Sequence, residues 1–131
     1  MRALDTNILV RLLVKDDAAQ SQKVIVALER AEAAGETLYV PILVVLELNW
    51  VLSSNYRKSR DEILDCLDQL VHISTLAFES AQVVKDLIAM GRVSSIDLSD
   101  LLIGLNARQA GCETTLTFDR HAARSGLFTE L

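Results

Sequence analysis

The sequence predicts an α/β domain in which a short parallel sheet of four to five strands is covered by helices on both faces. Short strand-like runs alternate with longer segments whose apolar residues recur at helical spacing. Parallel strands need long crossover connections, so this alternation favours a parallel sheet. The chain has 131 residues, and its sequence contains no repeat or linker, which predicts one domain over residues 1–131.

The first half of the chain contains two predicted strands and four predicted helices. The strands are the short approach to Asp5 and the run Leu38–Val40. Pro41 suits the first turn of a helix, and Ser59 with Glu62 forms the pattern of a capping box. The helices are predicted over Thr6–Val14, from Asp16 or Asp17 to Ala34, over Pro41–Ser53, and from Ser59 through Leu70.

The second half contains the remaining strands and two long helices. A third strand is predicted at Val71–Ile73, and a fourth over the threonine-rich run Glu113–Phe118. Gly91 and Gly111 stand where helices commonly stop. The helices are predicted over Phe78–Met90 and Leu101–Ala110, and the tail Asp119–Leu131 has room for a helical turn and a fifth strand.

Composition and charge exclude several classes of protein. Half of the residues are hydrophobic, which excludes a disordered chain. Thirteen basic and eighteen acidic residues give a net charge of −5, so binding of nucleic acid would need a local basic patch or a metal ion. Cys66 and Cys112 are too few for a disulfide scaffold, and we expect both in the core.

No segment resembles a signal peptide or a membrane span. Asp5 and Arg11 interrupt the apolar start of the chain. The longest apolar run, Val40–Leu52, is shorter than the roughly 20 residues that cross a bilayer. We therefore expect a soluble cytoplasmic protein with reduced thiols and no membrane association.

Several acidic residues occupy related positions in this predicted fold. Asp5 ends the first strand and Asp119 ends the fourth, while Asp97 and Asp100 open the helix before the fourth strand. In open parallel sheets, ligands bind outside the carboxyl ends of the strands. Glu47 is the only charge in the apolar helix Pro41–Ser53, and we expect it to point inward or into a cleft.

A group of carboxylates at one sheet edge needs compensation. Burying several of them together is prohibitive unless they are protonated or held by cations. Hard divalent ions take oxygen ligands, and His72 and His121 show no zinc-ligand spacing with the cysteines. The pattern favours Mg²⁺ or Mn²⁺ in phosphoryl chemistry.

The order of these motifs resembles that of the PIN-domain ribonucleases, and the size of the chain resembles the VapC-type toxins of bacterial toxin–antitoxin pairs. The resemblance covers the whole chain. It implies a metal-dependent ribonuclease that cuts structured RNA such as tRNA or rRNA and is silenced by a cognate VapB-like antitoxin. The matching runs are Leu4-Asp5-Thr6-Asn7-Ile8-Leu9, Glu47, Asp97-Leu98-Ser99-Asp100-Leu101-Leu102-Ile103 and Thr115-Leu116-Thr117-Phe118-Asp119.

The resemblance also assigns roles to single residues. Asn7 matches a polar position that steadies the first acid, and Thr117 matches a hydroxyl position near the last one. Asp97 competes with Asp100 for one motif position; we prefer Asp100, which leaves Asp97 as an extra ligand or a cap. The implied catalytic and metal-binding residues are Asp5, Glu47, Asp100 and Asp119, with Asp5 and Asp100 as the firmest ligands.

Basic and apolar surfaces suggest partners. Arg120 and Arg124 lie near the predicted acidic edge, and a second basic group follows the Glu47 helix. Each could contact an RNA backbone or simply face water. The apolar helix, with Trp50, and the resemblance both favour a homodimer whose active groove an antitoxin covers. The second basic group consists of Arg57, Lys58 and Arg60.

Other interpretations stay open at this point. A haloacid-dehalogenase-like phosphatase also places an Asp after its first strand, but it requires Asp-x-Asp, and Asn7 occupies the third position here. A non-catalytic module could bind RNA or a partner without cutting. Asp5 and Asp97 could serve as helix caps, Asp100 could complement a helix dipole, and Glu47 could form a buried ion pair with an arginine.

Overall fold

A computed structural model describes all residues, 1–131, as an α/β arrangement of five strands and seven helices. The strands are β1 (Arg2–Ala3), β2 (Leu38–Val40), β3 (Leu76–Phe78), β4 (Thr115–Thr117) and β5 (Phe128–Glu130). The helices are α1 (Thr6–Leu13), α2 (Ala18–Ala33), α3 (Ile42–Ser54), α4 (Arg60–Val71), α5 (Ala81–Val93), α6 (Leu98–Gln109) and α7 (Arg120–Ala123).

All strand pairs are parallel, as the alternation of strands and helices predicts. β2 lies between β1 and β3, with Leu38 opposite both Arg2 and Leu76. β4 and β5 form a separate parallel pair, so the five strands make two small sheets. Leu38 and Val40 are buried while Tyr39 between them is half-buried, which is the alternation of a strand with one fully covered face.

The core consists mainly of leucine and valine from the helices. Twenty-five buried apolar residues form one cluster, and Leu48, Leu64 and Leu101 are fully inaccessible within it. α5 packs between α4 and α6 at close range. A Cβ added at Gly91 would stand 2.8 Å from Leu64 Cδ2 and 3.0 Å from Leu98 Cδ2, so a larger residue here would displace these leucine side chains.

The third strand was predicted at the wrong place. Val71 ends α4 and His72 is its C-cap, because Leu67 and Leu70 continue the buried stripe of that helix. The strand is β3, which ends at Phe78, the residue predicted to begin a helix. Gly91 was also predicted wrongly as a helix stop, since α5 continues through it to Val93.

One prediction of burial is wrong as well. Cys112 is exposed, whereas Cys66 is buried as expected. The apolar helix α3 exposes Leu43 at 73% and Trp50 at 61%, so the single chain does not cover every side of it. No helix is both long and apolar enough to span a bilayer.

Candidate functional site

Asp5 lies just beyond β1, at the start of α1. Leu4 extends the strand by donating its N–H to Tyr39 O at 2.8 Å. Asp5 then adopts extended backbone angles as the N-cap, and its carboxylate accepts the N–H of Thr6 at 2.8 Å. Asp5 is therefore a helix cap whose side chain is also exposed at the sheet edge.

Glu47 meets α1 through a residue that the sequence analysis did not single out. The hydroxyl of Thr6, which is only 2% exposed, donates a short hydrogen bond to Glu47 Oε1. Glu47 is exposed, so of the two predicted orientations, inward or into a cleft, the inward one is wrong. Glu47 forms no ion pair, so the alternative of a buried arginine partner is wrong as well. The sequence signal that could have identified Thr6 was its position directly after Asp5.

Asn7 forms no hydrogen bond with Asp5. Its side chain is exposed and forms no hydrogen bond within the chain, and the bond that fixes the Asp5 carboxylate comes from the backbone of Thr6. The suggested steadying role of Asn7 therefore stays a prediction.

Asp97 and Asp100 occupy the start of α6. Asp97 is the N-cap, and its carboxylate accepts the N–H groups of Ser99 at 2.9 Å and Asp100 at 3.4 Å. Asp100 lies in the first turn and is half-buried. Burial raises the pKa of Asp100, and the negative charges of Asp97 and Asp119 raise it further. The structure therefore brings these three acids into one electrostatic group.

Asp119 is the N-cap of the short helix α7. One carboxylate oxygen accepts the N–H groups of His121 at 2.8 Å and Ala122 at 3.3 Å. Its own N–H donates to Thr117 Oγ1 at 3.0 Å, which places the threonine hydroxyl beside the acid. His121 Nε2 lies 3.2 Å from Ser95 Oγ, and this contact connects α7 to the loop before α6.

A buried amide connects the helices that carry Glu47 and Asp100. Asn49 is 8% exposed, and its Nδ2 donates to Ser99 Oγ at 2.8 Å. Asn49 lies two residues after Glu47, and Ser99 directly precedes Asp100. The bond therefore fixes the start of α6 against α3, and the sequence signal for it was a polar residue inside an otherwise apolar helix.

The side chains fit a hard cation in chemistry but do not form a complete ligand set as placed. Only carboxylate, amide and hydroxyl oxygens occupy the acidic edge, which suits Mg²⁺ or Mn²⁺ better than zinc. The crowded charge that raises the pKa of Asp100 is the kind a cation relieves. No three Asp, Glu, His or Cys side chains, however, stand close enough together to hold one ion.

The predicted basic residues fall into different surroundings. Arg120 is paired with Glu130 at 3.1 Å, whereas Arg124 is exposed and forms no ion pair. Lys58 and Arg60 are half-buried and line a cleft that Asp97 borders. Arg57 is exposed outside this cleft, with a backbone φ of 52°.

Comparison with known proteins identifies the family. The family model described as PIN domain matches residues 2–126. A "VapC ribonuclease" from Aquifex aeolicus (strain VF5) is 22% identical over 129 residues, which cover 98% of this chain and 95% of that protein. Asp5, Glu47, Asp100 and Asp119 all lie within the matched range. The match extends over nearly the whole chain, and the protein belongs to the PIN domain family.

Proposed function

We propose that this protein is a metal-dependent endoribonuclease that acts as the toxin of a toxin–antitoxin pair in the cytoplasm, with residues 1–131 as its single domain. The observation that supports this most directly is the acidic group at the start of α6. Asp100 is half-buried there beside the carboxylates of Asp97 and Asp119, and unlike those two it caps no helix. Perturbed acids of this kind concentrate at functional sites.

Mg²⁺ or Mn²⁺ is the proposed cofactor, and Asp5, Glu47, Asp100 and Asp119 would hold it after their side chains draw together from their separated positions in this structure. When bound, such an ion stabilises the charge that develops on a phosphodiester and promotes ionisation of water near neutral pH. Asp97 is proposed as a cap or an extra ligand, because its carboxylate accepts two backbone N–H groups at the start of α6 in the same way as that of Asp119 does at the start of α7.

The side chains of this site then position the reacting groups. Glu47 or Asp119 can orient the attacking water and accept its proton. Thr6 fixes one oxygen of Glu47 and leaves the other free for that role. The Asn49–Ser99 bond keeps α6 in register with α3 while the phosphodiester is held. Water is the nucleophile, and no covalent intermediate on the protein is needed.

RNA, a cognate antitoxin and a second copy of the chain are the proposed partners. Arg57, Lys58, Arg60 and Arg124 are available for the RNA backbone, while Arg120 would first have to leave Glu130. Leu43 and Trp50, seven residues apart on α3, expose an apolar stripe that suits an isologous dimer. The substitution Trp50→Glu should convert that dimer to a monomer in light scattering, and an unchanged mass would exclude Trp50 from the interface.

The nuclease proposal is tested with purified protein and labelled total RNA. We expect cleavage in Mg²⁺ or Mn²⁺, none in EDTA, and recovery when the metal is restored. The relative named VapC ribonuclease supports RNA as the substrate. Cleavage that persists in EDTA would contradict metal dependence. Folded, antitoxin-free protein that binds RNA without cutting it would support the non-catalytic module.

A phosphomonoesterase assay tests the phosphatase alternative. The family match favours the nuclease, and Asn7 lacks the carboxylate that the phosphatase pattern requires. We expect no turnover of small phosphate monoesters in the same metal buffers. Turnover of such esters without RNA cleavage would replace the proposed function.

A further inference from the structure

Lys58 and Arg60 share a shallow cleft between the end of α3 and the starts of α4 and α6. Both side chains are half-buried, so they are held at the surface rather than extended into water. Ser53 and the amide-bearing Asn49 contribute polar groups to the same cleft, and Asp97 borders it.

The two cations of this cleft have no anionic partner. Neither Lys58 nor Arg60 belongs to any of the six ion pairs of the molecule. Arg60 donates Nε–H to Gly91 O at 3.0 Å, but its Nη2 is buried without any hydrogen-bond partner. A buried guanidinium nitrogen without an acceptor is uncommon, because its desolvation is not compensated. Lys58 is therefore open to an anionic acceptor in the cleft, and Arg60 Nη2 would gain one once its side chain turns from its buried position toward the cleft.

The nearby carboxylates do not supply that acceptor. Asp97 has one oxygen engaged by the N–H groups of Ser99 and Asp100. Glu62 accepts the N–H of Ser59 at 2.9 Å within the capping box and forms no ion pair with Lys58, although the charge of Lys58 helps to lower the pKa of Glu62.

The backbone before Lys58 turns after the end of α3. Arg57 has a φ of 52°, in the left-handed region that a side chain other than glycine adopts at a cost. The N–H of Lys58 bonds to Leu52 O at 3.0 Å, which ties this turn to the last turn of α3. Lys58 is therefore held where it lines the cleft.

We infer that this cleft is a subsite for a backbone phosphate of RNA that flanks the scissile phosphate. The inference rests on the proposed nuclease function. Asp97 borders the cleft and precedes Asp100 by three residues, which is about 4.5 Å of helical rise. A phosphate held by Lys58 and Arg60 therefore positions the next part of the strand toward Asp100. In a chain of net charge −5, such a local pair of cations supplies the attraction that the whole protein lacks.

Binding, measured apart from cleavage, tests the subsite. Affinity for bulk tRNA is measured by fluorescence anisotropy against KCl concentration, in the background of Asp100→Asn and with EDTA present. We expect Lys58→Gln to weaken binding several-fold at low salt and to reduce the salt slope by about 0.7, the value for one lost phosphate contact on a single strand. Lys58→Arg keeps the charge and should retain the slope.

Lys23→Gln on α2 is the matched control, since it removes the same charge from an exposed position outside the cleft and should leave the slope unchanged. Equal slopes for Lys58→Gln and the parent would overturn the subsite even if the parent protein cuts RNA. Conversely, a normal Lys58 effect on binding in a protein that never cuts RNA would leave a phosphate-binding cleft, but it would refute the nuclease and with it the position of the subsite beside a scissile phosphate. If the parent binds no tRNA at low salt, the subsite fails, whereas the nuclease is decided by the cleavage assay on total RNA.

Discussion

α4 and α6 each carry an acid at the same position near the start of the helix, but the pKa values of the two acids are shifted in opposite directions. Glu62 and Asp100 are each the third residue after an N-cap, where the helix dipole favours negative charge. The backbone hydrogen bond from Ser59 lowers the pKa of Glu62. Burial and the charges of Asp97 and Asp119 raise the pKa of Asp100.

This difference separates a structural acid from a functional candidate. In α4 the neutral Ser59 caps the helix, and the carboxylate of Glu62 accepts the backbone N–H of Ser59. The two side chains together satisfy two backbone donors. In α6 the cap is Asp97, which is itself negatively charged. The carboxylate of Asp100 is therefore repelled by the cap and forms no hydrogen bond in return. Compensation of the helix dipole alone does not explain Asp100. An acid in that role needs neither a second carboxylate beside it nor burial of its own side chain.

The largest expected effect comes from Asp100→Asn. Loss of a metal-binding charge should lower the rate of RNA cleavage by at least about 100-fold. Each tenfold loss in rate corresponds to about 1.4 kcal/mol of lost transition-state stabilisation. In EDTA the variant should unfold at the same or a higher temperature, because a crowded charge has been removed. Asp68→Asn on the exposed face of α4 is the control and should match the parent in both assays. Full activity in Asp100→Asn would remove Asp100 from the site.

Asn49→Ala tests how α6 is held. The substitution leaves the hydroxyl of Ser99 without its buried donor, which should reduce the free energy of unfolding by about 1–3 kcal/mol. Urea denaturation of Asn49→Ala, Ser99→Ala and the double variant measures the coupling. Strictly additive losses would mean that the bond does not stabilise the start of α6.

Asp97→Asn distinguishes a cap from a ligand. Asparagine caps helices about as well as aspartate, so the unfolding temperature should stay close to that of the parent. Removal of the neighbouring charge should bring the pKa of Asp100 down toward its ordinary value. We expect the rate of RNA cleavage to stay within about tenfold of the parent. A tenfold loss is the lower end of what removal of a residue that supports a metal ligand typically causes. A loss as large as that of Asp100→Asn would make Asp97 a principal ligand.

Glu62→Ala should give the smallest effect and no loss of cleavage. The pKa of Glu62 is lower in the folded state, so its ionised form stabilises the fold above its unfolded pKa. That stabilisation disappears as the pH falls through the lowered folded value. Thermal unfolding should therefore show a deficit at pH 7 that shrinks in acid. A deficit that is constant with pH would assign the effect to helix propensity alone.

The sequence by itself determined the element types, the parallel sheet and the acids at the chain positions where strands end. The periodicity of apolar residues and the capping patterns at Ser59 and Asp17 are local signals, and the structure confirms both caps. The misplaced third strand shows the limit. Val71–Ile73 has strand propensity, but the buried stripe of α4 and the pairing of Leu76–Phe78 with β2 outweighed it.

The tertiary structure decided which of those residues interact. The bonds from Thr6 to Glu47 and from Asn49 to Ser99 join residues 41 and 50 positions apart, and no local pattern predicts such pairs. The opposite pKa directions of Glu62 and Asp100 likewise depend on neighbours contributed by the fold, with Asp119 arriving from beyond β4. Periodicity and capping act within a few residues of the chain, whereas burial and Coulomb interactions depend on distances that exist only after folding.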